Sequence, residues 1–172
     1  LGFMGFHALE YELFARQDDV RAFVEAQKLI NNLRVVIEFM KKQTITYIHM
    51  INLLPVYTQQ IINKLSGHDS VYSESGLSEI AANIEGIQLI IDQTKDFLPK
   101  NLVTELSKSE DNIYKILAEY KQDDIHKPFS TLKTSDKDLL QKETQYLSEL
   151  LIQLNTVIAK QLPEASTSKR NT

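Results

Sequence analysis

Apolar positions recur at helical spacing along almost the whole chain. From Val20 to Leu65 one stripe passes through Phe23, Ile30, Leu33, Ile37, Met40, Tyr47, Ile51, Leu54, Ile61 and Leu65. Its steps of three, four and seven residues place these side chains on one face of a helix. The pattern predicts a first helix over about residues 2–15 and a very long helical segment over about 20–65. Pro55 should kink or break that segment, because proline removes a backbone donor and crowds the preceding turn. Gly67 is a natural stop. A loop over 68–75 leads to a helix over about 76–97, with Leu77, Ile80, Ile84, Ile87, Ile91 and Leu98 on its inner side, closed by Pro99. Another helix over about 101–121 repeats the pattern through Leu102, Leu106, Ile113, Leu117 and Tyr120. After a loop over 122–134, Ser135 with Asp138 three residues on resembles a capping box. The helix it opens turns Leu140, Leu147, Leu150, Leu154, Val157 and Ile158 inward and ends before Pro163. There is no convincing strand pattern and no internal repeat. The predicted fold is all-α, an up-and-down bundle of long antiparallel helices occupying 1–163, followed by a polar tail, 164–172, expected to be disordered.

Composition changes this picture little but narrows the function. The 172 residues suit one domain with a real core. Five glycines and four prolines imply few turns and long regular elements. The net charge of −4 gives no reason to expect nucleic-acid binding. No apolar run approaches the roughly 20 residues of a membrane span. The chain opens without an initiator Met, directly in an apolar helical segment, as a piece of a longer precursor would. Cysteine is absent, which excludes disulfides, thiolate metal sites and a cysteine nucleophile together. Any metal must therefore sit among nitrogen and oxygen donors, a shell that suits iron, zinc, manganese or, more weakly, calcium.

The candidate chemistry lies in Gly5–Phe14, GFHALEYELF. His7 and Glu10 are three apart, so imidazole and carboxylate project from one helix face and can grip one ion. Phe3, Phe6 and Phe14 recur around the pair, and that face is expected to turn toward a core. Buried polar groups without partners cost about 1–3 kcal/mol each. A metal would satisfy both; so would a plain His–Glu hydrogen bond locking two helices, and spacing alone does not choose between them.

Two motifs in order carry a resemblance. GFHALEYELF resembles the Gly-x-His-x-x-Glu signature of the imelysin-like family, classed by name among peptidases. The stretch Lys64–Gly86 resembles the EfeO-type segment in which a Tyr-Ser loop leads into Ala-Asn-Val-Glu-Gly, here Ala82-Asn83-Ile84-Glu85-Gly86. The similarity extends to the 120–132 region and the final helix. It implies an imelysin-like bundle in an extracytoplasmic iron-uptake component, periplasmic or a cell-surface lipoprotein. Its partners would be a membrane permease and a haem peroxidase-like protein, and its contact with the membrane a lipid anchor outside this chain. The metal would be iron, with zinc possible, held by His7 and Glu10 with Glu85, Asp18 and Asp19 as supplementary carboxylates. Two departures stand out: the cupredoxin-like domain that some members carry is not in this chain, and any family helix preceding the motif helix is missing, so the bundle is expected to be incomplete.

Other readings are weaker. A zinc peptidase needs three ligands and an open position for water. His49, His68 and His126 form no zincin spacing with His7, so no enzymatic activity is expected. A ferritin-like di-iron site wants Glu-x-x-His twice, and here the order is reversed and single. A metal-free helical adaptor would explain everything except the two motifs.

Overall fold

A computed structural model of the chain describes residues 4–161, apart from the side chains of Tyr47, Phe97 and residues 159–161. It is an all-α bundle. Helix α1 (Phe6–Glu10) continues into a π-helical turn, Tyr11–Arg16, which ends at Gln17 with φ 54°. Then come α2 (Asp19–Met40), α3 (Tyr47–Lys64), α4 (Gly76–Thr94), α5 (Lys100–Ala118) and α6 (Thr134–Gln161). Between α5 and α6, β1 (Lys121–Gln122) and β2 (Ile125–His126) form a minimal antiparallel ribbon, Lys121 opposite His126.

Helices α3 to α6 close into a four-helix bundle: each packs on its sequence neighbour, and α3 returns to α6. Tyr146 of α6 donates to Glu105 of α5, and Asn112 of α5 donates to Glu143 of α6. Position falls along one helix as it rises along the other, so the pair is antiparallel. The predicted inner faces of α4 and α5 are buried at every position, as are Ile51, Leu54, Ile61 and Leu65 of α3. Leu140, Leu147, Leu150 and Leu154 of α6 complete the core. Each such side chain contributes about 1.5–3 kcal/mol when fully buried.

The structure departs from the sequence expectations in several places. The long segment breaks at 41–46, not at Pro55, which lies inside α3. The break is made by a cap: Thr46 Oγ1 accepts from His49 N, while His49 Nδ1 accepts from Thr46 N at 3.2 Å. His49 here takes the place usually held by Glu or Gln in a capping box. Pro55 is tolerated with the buried Thr58 one turn on, whose hydroxyl donates to the Pro55 carbonyl at 3.0 Å. Helix α6 starts at Thr134, one residue before the expected cap. The ribbon occupies what reads as plain loop.

The largest departure is α2. Its stripe was expected to enter the core, yet Ala22 is its one buried residue among those described. Phe23, Ile30, Leu33, Ile37 and Met40 are exposed, because α2 packs on α1 and the π turn and not into the bundle. Phe6 and Phe14 are likewise exposed, and Phe3 lies outside the described residues, as does the tail 164–172.

Candidate functional site: an acidic cleft between α1 and the bundle end

The α3–α4 connection builds one wall of the site. Gly67 with φ 77°, Ser70 with φ 49° and Glu74 with φ 53° turn the chain through left-handed conformations. Phe129 lies under this loop. A Cβ on Gly67 would stand 3.1 Å from its ring and one on Gly76 only 2.9 Å, so glycine at both positions lets the ring approach. Phe129 N donates to Glu74 O at 2.9 Å, and the Ser130 hydroxyl and N–H both donate to the Glu74 carboxylate. The loop is thus tied to the segment before α6.

Against this loop docks α1. Glu10 Oε1 accepts from Ser73 N at 2.8 Å, Ser73 Oγ at 2.8 Å and Tyr72 N at 3.1 Å. Tyr11 meets Tyr72 edge to face, centroids 5.2 Å apart. Burial works against ionising Glu10, but the Ser73, His7 and Tyr72 donors outweigh it and hold the carboxyl below its ordinary value. Glu10 Oε2 lies 3.2 Å from His7 Nδ1. The other ring nitrogen, Nε2, lies 3.3 Å from Asp69 Oδ1.

The network continues inward. Lys64, at the end of α3 and nearly buried, places its ammonium on Asp69 Oδ2 at 2.6 Å and on Glu79 of α4. Glu79 also accepts from Ser70 and, at 2.5 Å, from Ser75. Burial alone would lower the Lys64 pKa; Asp69 and Glu79 reverse that and raise it. For Glu79, burial is outweighed by Lys64, Ser70 and Ser75, and its pKa falls. These groups line a cleft of about 520 Å³ together with Phe6, Leu9, Leu13 and Phe14. Three carboxylates face one ammonium, so with a neutral imidazole the cleft carries a charge of about −2.

The cleft therefore gathers His7 and Glu10 from the motif, as their spacing predicted, but not the other three expected residues. Asp18 caps α2, accepting from Arg21 N at 3.0 Å, and Asp19 is exposed on that helix. Glu85 is exposed and lies outside the cleft lining; after burial, its charge is the next cause of the raised Tyr114 pKa on α5. Six residues separate Glu85 from Glu79, which turns it about 120° around α4 and moves it about 9 Å along the axis. A Cβ on Gly86 would meet nothing within 4 Å, so no neighbouring element among the described residues closes on that position. The acid that α4 brings to the cleft is Glu79. Asp69, Glu79 and Lys64 were missed because their roles depend on the loop; the one local signal is Ser75 four residues before Glu79, in the first turn of α4.

In this arrangement the donors do not converge on one point. Among the described residues no group of three or more His, Asp or Glu side chains stands ready to hold a metal ion. The reason is visible: the imidazole lies between Glu10 and Asp69, and Lys64 lies between Asp69 and Glu79. The donor set itself, one nitrogen and several hard oxygens, suits iron, manganese or zinc.

No family model matches the chain. It is similar to EfeO-type proteins over about half its length. An Efem/EfeO family lipoprotein of Staphylococcus haemolyticus is 31% identical over 98 residues, which are 55% of this chain and 34% of that protein. The iron uptake system component EfeO of Escherichia coli K12 is 33% identical over 99 residues, 56% of this chain and 26% of that protein. The matching protein of Shigella flexneri gives the same figures. The matched regions thus span about a third or less of these curated relatives.

Proposed function

We propose that this chain is a metal-binding component of an EfeO-type iron-uptake system, acting outside the cytoplasm. The observation that carries the reading is the union of His7 and Glu10 from α1, Asp69 from the loop and Glu79 from α4 in one acidic cleft. Support comes also from the similarity to proteins named as iron-uptake components and as a lipoprotein. Among the described residues no helix is long and apolar enough to cross a membrane; in this reading attachment to one is by a lipid anchor.

In this reading the ion is cargo. Imidazole and carboxylates would take it from solution at the cleft mouth, where His7 is half exposed, and a shell without thiolates would release it readily to a permease. A peroxidase-like partner would act on the iron outside this chain. No residue is assigned a catalytic role: the cleft offers one histidine, whereas a water-activating zinc site generally uses three protein ligands and an open position.

The test is metal analysis of protein purified without chelator or affinity-tag metal, followed by Mn²⁺ titration of wild type and His7→Ala. The reading expects bound metal in the wild type and loss of tight binding in the variant with helical content unchanged. Equal binding by both proteins would remove His7 from the site. A second reading, in which the same groups merely lock α1 to the bundle, is favoured by the Glu10 bonds to Ser73 and Tyr72 and by the His7–Asp69 pair; it expects no bound metal and a loss of stability in the variant.

A further inference from the structure

We infer that Lys64 is a built-in counter-cation: its ammonium occupies the carboxylate pocket in the empty protein and must leave Asp69 and Glu79 when a metal ion enters. This rests on the reading of the cleft as a cation site and adds how that site is controlled. The carboxylates of Asp69 and Glu79 come from different elements, and both point at one Nζ. An ammonium and a metal ion compete for the same oxygen lone pairs, and two cations at hydrogen-bond distance from one carboxylate repel. Lys64 is the last residue of α3, followed by a loop that contains Gly67. Its flexible four-carbon stem can swing the charge toward the cleft mouth without moving the helix.

The serines are placed to make this exchange possible. Ser70 and Ser75 donate to Glu79, and Ser73 donates to Glu10 and stands 2.9 Å from Ser75 Oγ. These neutral donors keep two of the acids oriented when the ammonium departs, since a hydroxyl aims a carboxylate without adding charge. The device weakens binding and favours ions of higher charge density: a monovalent cation gains nothing by replacing an ammonium, whereas a divalent one does. Lys64 thereby sets both affinity and selectivity at the cleft.

The experiment combines amine footprinting with titration on the whole chain. Lys64 acetylation by a water-soluble active ester is followed by mass spectrometry with and without Mn²⁺. Wild-type Lys64 is protected in the free protein and gains reactivity severalfold on adding Mn²⁺. In calorimetry, Lys64→Gln binds Mn²⁺ about tenfold more tightly, the equivalent of one charge-assisted bond no longer broken. Lys64→Arg, which keeps the charge, does not show that gain. Neither does Lys95→Gln, which removes an exposed ammonium outside the cleft. Mn²⁺ binding with Lys64 still protected overturns the inference and leaves the metal reading intact. So does a Lys64→Gln affinity no greater than wild type, or an equal gain from Lys95→Gln. Failure of both wild type and Lys64→Gln to bind Mn²⁺ overturns the metal reading and the inference with it.

Discussion

His7 Nε2 and Asp69 Oδ1 stand 3.3 Å apart and join the first helix to the loop between α3 and α4. The same ring meets Glu10 through Nδ1, so the imidazole is a bridge, and each carboxylate sees a different edge of it. The two contacts differ in strength. Asp69→Asn removes two pairs, and the one that holds α1, the partly exposed contact with His7, is worth no more than about 1 kcal/mol; the other, with Lys64, ties α3 to the loop and does not reach α1. Glu10→Gln strands part of a three-donor set at a carboxylate that is 11% exposed, and a loss of about 1–3 kcal/mol is expected. Urea unfolding of both variants, with amide exchange over residues 6–16, checks the order: the Glu10 variant should free α1 more than the Asp69 variant.

The bundle was legible because packing obeys a local rule. Every inner position of α4 and α5 read from periodicity is buried, since an apolar stripe on a helix with close neighbours has one place to go. The same rule misplaced α2: periodicity marks a face that can be buried without naming what buries it. The chain break at 41–46 was hidden because its cap uses His49, a residue with many other roles. At the site, i, i+3 spacing placed His7 and Glu10 on one helix face, and both line one cleft. Asp69 and Glu79 were not legible, because a loop with three left-handed residues decides where they point. Glu85 was assigned through the Ala82–Gly86 resemblance, yet it is exposed and lies outside the cleft lining.

Gly76→Ala should loosen the cleft from below. The new Cβ would come within 2.9 Å of Phe129 Cδ2, and the ring is held by its own N–H bond to Glu74. The ring must shift, and overpacking of this kind costs about 1–3 kcal/mol. Thermal unfolding should register the loss, and Phe129→Leu in the same chain should recover part of it. A Gly76→Ala protein as stable as wild type would mean that the ring does not anchor the loop.

Helix α2 should be the least protected of the long helices. Its described side chains bury Ala22 alone, whereas α3 to α6 share a continuous core. Amide exchange is governed by local opening where few apolar contacts hold an element, so α2 amides in this chain should exchange well before those of α4 and α5. Substitutions should follow the same division. Val35→Ala, at a 71% exposed position, should change stability by no more than about 0.5 kcal/mol. Leu54→Ala, at a fully buried one, should cost about 2–5 kcal/mol. Protection of α2 equal to that of α4 at every protein concentration would contradict this division.

Glu110 on α5 gives the bundle a pH dependence distant in origin from the cleft. The residue is 2% exposed, and its Oε1 has no hydrogen-bond partner among the described residues. Burial raises its pKa to about 7, helped by the negative charges of Asp92 and Asp111. An unfolded glutamate titrates near its ordinary value of 4.5. Between these two values the folded protein holds a proton that the unfolded chain has released, so folding stability from this group falls as pH rises from about 4.5 to 7 and is level above. The loss is on the order of 3 kcal/mol. Glu110→Gln keeps the shape and cannot ionise, so it should abolish that slope and be more stable than wild type at pH 8, while differing little at pH 4.5. Denaturant unfolding of both proteins across this range is the measurement. A wild-type slope that persists in Glu110→Gln would assign the dependence to other groups.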